Sequence, residues 1–278
     1  MRSGVEPTVL AFARMAFLEL LSYRVRYVVG VLNYVVYMGV QYYLWAAVFA
    51  SAAERTALGG FTLAELVTYF AVGWVVRVST FNNIDREIAE RVSRGDIALD
   101  LLRPVSLLER YYGHAAGEAA FRVFFMGLPT AAVLFPLFGA RPPELAGHPA
   151  DAAGRLAAFL LSSVLAFHVF FLLNFLIGVL AVFFDKIRGL LWAKFILIQF
   201  FSGLLVPFDL FPGWARAVLG ALPFRAVVHG PASIWLGRLR GGALAAELAV
   251  QAVWALALLG SSRWLWAIAR RKLLVQGG

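Results

Sequence analysis

Few side chains in this 278-residue sequence are spaced so that they could do chemistry together. The 4 histidines, His114, His148, His168 and His229, lie in separate regions, without an HExxH pattern or a pair of neighbouring carboxylates. The sequence contains no cysteine, which excludes disulfides, thiolate zinc sites and thiol catalysis. Glu118 shares a helical face with His114, but two ligands do not make a metal site. The sequence therefore predicts no catalytic residue and no metal site.

A second group of residues consists of uncharged polar side chains inside long apolar stretches. These residues are Asn33, Gln41, Asn174 and Gln199. Lipid offers such side chains no hydrogen-bond partner, so they face either a neighbouring helix or a water-filled path. Our first interpretation is hydrogen bonding between helices. The alternative makes the same four residues candidates for a translocation path.

Ionisable side chains lie near the ends of these apolar stretches. They are Arg77, Glu118, Arg122, Lys194, Arg263 and Glu247. A charge at the centre of a membrane helix costs roughly 2.5–3.5 kcal/mol on insertion scales, so we expect these groups to pair or to reach the interface. Glu118 and Arg122 are correctly spaced for an ion pair within one helix. Pairing is the main interpretation, and contact with a substrate is the alternative.

Six apolar stretches carry these residues, near 28–50, 64–83, 115–139, 156–184, 189–206 and 243–266. Each approaches or exceeds the roughly 20 residues that a helix needs to cross a bilayer. Continuous apolarity, rather than alternation, favours helices over a barrel. A hydrophobic content of 62% and a mean hydropathy of +0.78 agree with this. The sequence predicts an all-α polytopic membrane protein with six transmembrane helices in a single domain, 1–278.

The basic residues predict the orientation of the chain. Most of the 25 Lys and Arg residues fall on one side of the six-span arrangement, including Arg270, Arg271 and Lys272. By the positive-inside rule, that side and both termini are cytoplasmic. The net charge of +9 is therefore interpreted as a contact with anionic lipid, and no nucleic-acid partner is expected.

Two segments outside the spans have their own patterns. In residues 8–26, apolar side chains recur at helical spacing and polar side chains fall on the opposite side. This pattern predicts an amphipathic helix lying on the membrane, and a simple extension of the first span is the alternative. Residues 202–224 are too apolar for a free loop and too interrupted by proline for a span. They predict a re-entrant outer segment between helices five and six, marked by Pro207, Phe208, Pro212 and Trp214.

The longest predicted cytoplasmic loop, 85–112, has the character of a docking surface. Gly95 and Pro104 divide it into short helices. An apolar face with charged edges is typical of a partner-binding surface. The residues with this pattern are Arg94, Asp96, Ile97, Asp100, Leu101, Leu102 and Arg103. The alternatives are a helix resting on lipid headgroups and a docking contact at the turn 185–189.

Two segments resemble the permease subunits of type-2 ABC exporters, in the branch with paired permeases. These are GDIALDLLRPVS at 95–106 and SGLLVPFDLFPGWARAVLGALPF at 202–224. The resemblance implies that two permease subunits form the membrane path and that two separate ATPase subunits dock on their loops. The sequence contains no GxxxxGK[ST] phosphate loop. ATP and Mg²⁺ are therefore expected in the ATPase partner, and no cofactor is expected in this chain.

The resemblance predicts a permease subunit of an ATP-driven ABC exporter in a bacterial-type inner membrane, paired with a related, non-identical permease. An ion-driven secondary transporter is one rival, although such proteins usually show internal repeats and ionisable residues at broken helices. A membrane-embedded lipid-modifying enzyme is the other, opposed by the missing catalytic cluster. The aromatic-rich spans suit an amphipathic or hydrophobic cargo.

Overall fold

The computed structural model of the protein describes residues 8–22, 25–51, 57–102, 104–142, 149–184 and 187–276. In these ranges the chain is helical apart from short connections and one isolated bridge between Leu58 and Phe61. The α-helices are α1 Thr8–Leu21, α2 Val25–Ser51, α3 Leu63–Thr80, α4 Ile84–Arg94, α5 Ile97–Leu101, α6 Leu107–Arg122, α7 Leu128–Phe138, α8 Pro149–Val179, α9 Arg188–Phe201, α10 Gly213–Gly220, α11 His229–Trp235 and α12 Gly241–Gln276. The predicted all-α class is confirmed for these residues.

Local sequence signals explain several helix ends. At the start of α3, the Thr62 backbone N–H donates to the Glu65 carboxylate at 2.8 Å, and the Glu65 N–H donates to the Thr62 hydroxyl at 3.3 Å. This reciprocal capping box satisfies two N–H groups that the helix leaves free. Ser106 caps α6 through the Glu109 N–H. Gly95 ends α4 in the left-handed region, with φ of 77°, where a side chain would be strained.

Four helical stretches in the described residues are long and apolar enough to cross a membrane: Leu63–Arg94, Leu107–Phe138, Asp151–Val182 and Gly241–Leu273. They contain the predicted spans two and six and nearly all of the predicted spans three and four. The predicted span 28–50 lies within α2, a helix of 27 residues. The predicted span 189–206 coincides with α9, whose 14 residues extend only about 21 Å. Six crossings therefore stay a prediction.

Helix α3 lies at the centre of the molecule. Its side chains are buried without interruption from Leu66 to Trp74, so protein surrounds it on all sides. Helices α2, α7, α8 and α11 pack against it. Helix α8 in turn contacts α4 and α12. Helices α3 and α8 are thus the two central helices against which the others pack.

Helix α1 packs against α6 through two glycines. A Cβ at Gly113 would lie 2.6 Å from the Val9 carbonyl oxygen, and one at Gly117 would collide with the backbone of Ala13. Small residues at this spacing let two helix backbones approach closely. Part of the predicted apolar face, including Val9, Phe12 and Ala13, therefore packs on α6, and the position of α1 on the membrane stays a prediction. Tyr23 and Arg24, within the predicted helix 8–26, lie outside the described residues.

A π-helical turn, Val123–Gly127, joins α6 to α7 without a break in the helix. Such turns insert one extra residue into a helix. Gly127 lies against α3, where an added Cβ would come 3.2 Å from the Ser79 hydroxyl oxygen. Short 3₁₀ turns lie at Leu180–Val182, Phe208–Leu210 and Pro223–Ala226.

We expect Gly117→Ala to weaken the contact between α1 and α6, because the added methyl group collides with the Ala13 backbone. Overpacking of this kind costs about 1–3 kcal/mol. Gly154→Ala in α8 is the matched control, since nothing lies within 4 Å of its added Cβ. The midpoint of thermal unfolding in detergent measures both variants. A Gly117→Ala midpoint equal to that of the control would contradict the close contact.

Candidate functional site

Asp100 organises the loop between α3 and α6. Its carboxylate accepts hydrogen bonds from Arg91 Nε at 2.8 Å and Arg91 Nη2 at 2.9 Å, and it also pairs with Arg110. Arg91 belongs to α4, Asp100 to α5 and Arg110 to α6. One buried carboxylate thus holds three short elements together. The loop is a defined structure rather than a solvated coil.

This arrangement corrects part of the predicted docking surface. Ile97 and Asp100 are buried, so they face the body of the loop and not a partner. Asp96 and Leu101 are half-buried, and Arg103 lies outside the described residues. The large exposed apolar side chains of this loop are Leu102, 82% exposed, and Leu99, 59% exposed. Leu99 was missed, although its spacing of three residues from Leu102 on a helical turn was a usable signal.

Two depressions flank the loop. One, of about 1050 Å³, lies between α4 and the segment that leads into α9, and Arg94, Phe184 and Arg188 contribute to its walls. The other, of about 520 Å³, lies between the start of α6 and the end of α12 at Arg263 and Arg270. In the turn 185–189, residues 185 and 186 lie outside the described residues.

A polar network lies where α3, α4, α8 and α9 meet. Lys194 Nζ donates to the Asp85 carboxylate at 2.6 Å and to the Asn174 side-chain oxygen at 2.8 Å. Asn174 Nδ2 donates in turn to the Asn82 side-chain oxygen at 2.8 Å and the Asn82 carbonyl at 3.0 Å. Asn82, Asp85 and Asn174 are all buried. Asn174 therefore makes the helix–helix hydrogen bonds that the sequence suggested.

Arg77 lies beside this network without a carboxylate partner. It is only 5% exposed, and no salt bridge reaches it from the described residues. Its Nε donates to the Gln199 side-chain oxygen at 3.3 Å, while Nη1 has no hydrogen-bond partner. Its guanidinium carbon lies 4.6 Å from the Phe81 ring centre and 4.8 Å from that of Phe170. Through its hydrogen bond with Arg77, Gln199 lies beside the polar network that contains Asn174.

The other two candidate path residues differ from each other. Gln41 is buried, accepts a hydrogen bond from Trp74 Nε1 at 2.7 Å and donates to the Leu204 carbonyl at 2.7 Å. It therefore ties α2 to α3 and to the segment after α9. Asn33, eight residues earlier on α2, is exposed on the outside of the single chain. The four candidates do not line one continuous surface in the described residues.

The remaining ionisable residues are mostly paired. Glu118 accepts a hydrogen bond from Arg122 Nε at 3.0 Å, which confirms the predicted pair within α6. Glu247 pairs with Arg225, which joins α12 to the turn before α11. Arg263, in the second half of α12, is exposed. Pairing accounts for most of the charges placed at the helix ends, and among the described residues Arg77 and Arg263 are the exceptions.

The segment 202–224 folds as short helices on the predicted outer half of the protein. Pro207 and Phe208 are buried, whereas Pro212 is exposed and Trp214 is 76% exposed. An added Cβ at Gly73, in the middle of α3, would come 3.4 Å from Leu204, so the segment begins deep within the domain. The His229 N–H donates to the Ser202 carbonyl at 3.0 Å, which brings the end of the segment back to its beginning.

His168 and His229 are packing residues. His168 contacts the Tyr112 hydroxyl at 2.8 Å and the Val164 carbonyl at 2.7 Å. Burial, together with the nearby positive charges of Arg225 and Arg238, lowers the pKa of His229 to about 3, so its ring is neutral. His148 lies outside the described residues. No group of three metal ligands occurs in the described part of the chain.

Helices of this length and apolarity, arranged around a buried α3, define a multi-pass membrane protein. The family model of ABC-2 family transporter proteins matches residues 35–277. Because the match covers more than half of the chain, the protein belongs to this family and is a type-2 ABC permease. The family is a membrane transport component and not a catalytic subunit. Comparison with curated proteins gave no match.

The buried ion pair between Lys194 and Asp85 leads to a prediction about stability. We expect Asp85→Asn or Lys194→Gln alone to destabilise the protein by about 3–5 kcal/mol, because each leaves one buried charge without its partner. The double variant removes both charges and is expected to lose less than the sum of the singles. Thermal or denaturant unfolding in detergent, analysed as a double-mutant cycle, measures the difference.

The exposed pair Glu90–Arg94, with atoms 4.0 Å apart, is the matched control. Neutralising both of its charges should change stability by about 0–1 kcal/mol. Additive effects of the two interior substitutions would show that Lys194 and Asp85 are not coupled.

Proposed function

We propose that this permease forms half of the translocation path of an ATP-driven ABC exporter in a bacterial-type inner membrane. A second, related but non-identical permease forms the other half, and two separate ATPase subunits supply the energy. The observation that carries the proposal is the family match over 35–277 in a chain without a phosphate-loop sequence. ATP and Mg²⁺ then belong to the ATPase partner.

The proposed topology has six crossings with both termini in the cytoplasm. Helix α2, at 27 residues, is about 40 Å long and matches the thickness of a bilayer. The short α9 continues into residues 202–204, which pack against Tyr69 and Gly73 in the middle of α3. Residues 202–224 then act as a re-entrant segment that completes the fifth crossing from the outer side. The hydrogen bond from the His229 N–H to the Ser202 carbonyl, which brings the chain back to the start of the segment, supports this interpretation.

Exposed apolar surface supports the second permease. Large side chains on α2 are exposed in the single chain, among them Val36, Tyr37, Val40 and Tyr43. Asn33 shares this face of the helix, and a polar group there is better accommodated by protein or water than by lipid. A partner permease on α2 would cover it, while lipid contacts the remaining faces. Arg270, Arg271 and Lys272 suit the anionic inner leaflet.

We place ATPase docking on the α4–α5–α6 loop, with Arg94, Leu99 and Leu102 as its exposed contacts. The Asp100 network makes the loop stiff, so that a push on α5 reaches α4 and α6 together. Helix α4 packs directly on α8, one of the two central helices. Movement of the loop can therefore reach the core of the domain. The groove beside Arg188 is the secondary docking candidate.

We expect the double variant Leu99→Ser with Leu102→Ser to lose at least about tenfold in ATPase affinity. A leucine buried at an interface contributes about 1.5–3 kcal/mol, and 1.4 kcal/mol corresponds to tenfold. Folding should be unaffected, because both side chains are exposed in the single chain. Co-purification of a co-expressed partner ABC ATPase, at matched expression, provides the measurement.

Trp214→Ser is the control for this experiment, since it removes an equally exposed side chain from α10. It should leave ATPase association unchanged. Normal association of the leucine double variant would move docking to the groove beside Arg188.

Labelling of introduced cysteine tests the topology, and the absence of native cysteine makes the background clean. We expect Trp214→Cys to react with an impermeant maleimide from the periplasmic side of intact cells. A cysteine at Leu102 should react only after the membrane is opened. Reaction of Trp214→Cys from the cytoplasmic side alone would require another crossing and would refute the proposed arrangement.

A further inference from the structure

The unpaired Arg77 opens onto a cavity of about 210 Å³ between α3, α4, α8 and α9. The groups that line it and matter here are Arg77, Asp85, Arg86, Lys194, Phe170 and Trp192. Three of these carry a positive charge and one a negative charge. Because the Asp85 carboxylate is already taken by Lys194 at 2.6 Å, two positive charges are left without a counter-charge in the lining.

Arg77 has free hydrogen-bonding capacity on this side. It is buried, its Nη1 has no partner, and the only hydrogen bond of its guanidinium within the described residues is the long one to Gln199. The rings of Phe81 and Phe170 contact the guanidinium but offer no acceptor to its N–H groups. A buried, unpaired guanidinium is costly, and a fork of N–H donors matches an oxyanion well.

The rest of the cavity suits an apolar body. Trp192 and Phe195 form part of its wall and are exposed at its mouth. Arg86, Leu191 and Trp192 also line the neighbouring depression of about 1050 Å³, so the two spaces adjoin. A headgroup of a few heavy atoms fits the smaller space, and an attached chain can continue along the aromatic wall.

We propose that this cavity binds the oxyanion head of an anionic amphiphile, a carboxylate or a phosphate, with Arg77 as the primary ligand and Arg86 at the mouth. Under the proposed permease function, which this inference extends, the amphiphile is the transported cargo. The same chemistry is offered by the headgroup of an anionic lipid of the inner leaflet. Lys194 and Asp85 neutralise each other and hold the wall of the cavity in place, and neither binds the anion.

The test uses the full-length protein in phosphatidylcholine nanodiscs with dodecyl phosphate as the probe. Calorimetric titration, with empty nanodiscs subtracted, gives the dissociation constant. We expect Arg77→Gln to weaken binding at least tenfold, with Arg77→Lys in between. Arg263→Gln removes an exposed arginine in the second half of α12 and should leave binding unchanged. Dodecyltrimethylammonium, with the same chain and the opposite charge, should show no saturable binding.

Stability distinguishes a ligand-binding role from a structural one. If Arg77 serves to bind an anion, Arg77→Gln relieves an uncompensated buried charge, and its unfolding midpoint without probe should equal or exceed that of the unsubstituted protein. If this variant fails to fold, Arg86→Gln at the exposed mouth carries the test, with an expected threefold to tenfold weaker binding. Unchanged binding in whichever variant is folded overturns the proposal.

A second titration, in nanodiscs that contain phosphatidylglycerol, identifies the source of the anion. Competition by this lipid assigns the site to the lipid headgroup and overturns the cargo assignment. Unchanged binding of dodecyl phosphate assigns it to a separate amphiphile. The assay contains no ATPase, so its outcome is independent of whether the loop at Leu99 and Leu102 docks one.

Discussion

The hydrogen-bonded ion pair between Lys194 and Asp85 is the interaction on which the inner half of this permease depends. Helix α9 is too short to be held by apolar packing along a full membrane span, and much of its surface is exposed. Lys194 fixes it to α4 through Asp85 and to α8 through Asn174. In a medium without water, each of these groups satisfies the others, and removing one leaves its neighbours unpaired.

The same pair connects the interior to the loop outside it. Asp85 lies in the first turn of α4, and Arg91 in the last part of that helix holds Asp100. A single short helix therefore carries one ion pair toward the core and another toward the exposed loop. Because α4 is only 11 residues long and packs on α8, we expect a displacement at one of its ends to move the other end as well. Helix α4 thus connects the exposed loop to the cavity near Arg77.

The sequence predicted features that depend on nearby residues and missed those that depend on distant ones. The Thr62–Glu65 capping box and the Glu118–Arg122 pair form within one helix, where spacing alone determines contact. The partner of Lys194 lies 109 residues away, and no local pattern indicates it. The inward direction of Asp100 likewise follows from arginines on two other helices. Amino-acid composition was sufficient to predict a helical membrane protein, but it did not predict that α9 is only 14 residues long.

The π turn between α6 and α7 sets the rotational phase of the long third span. Buried residues recur every four positions before the turn, once at an interval of five across it, and every four positions after it: Gly113, Gly117, Phe121, Met126, Thr130 and Leu134. The π turn absorbs the extra residue, so one stripe of buried side chains continues to face the protein on both sides of the turn. If Val123–Gly127 were wound as a regular α-helix with no residue removed, everything beyond it would be rotated by about 100°. The inner and outer halves of this span are thus kept in phase by the π turn.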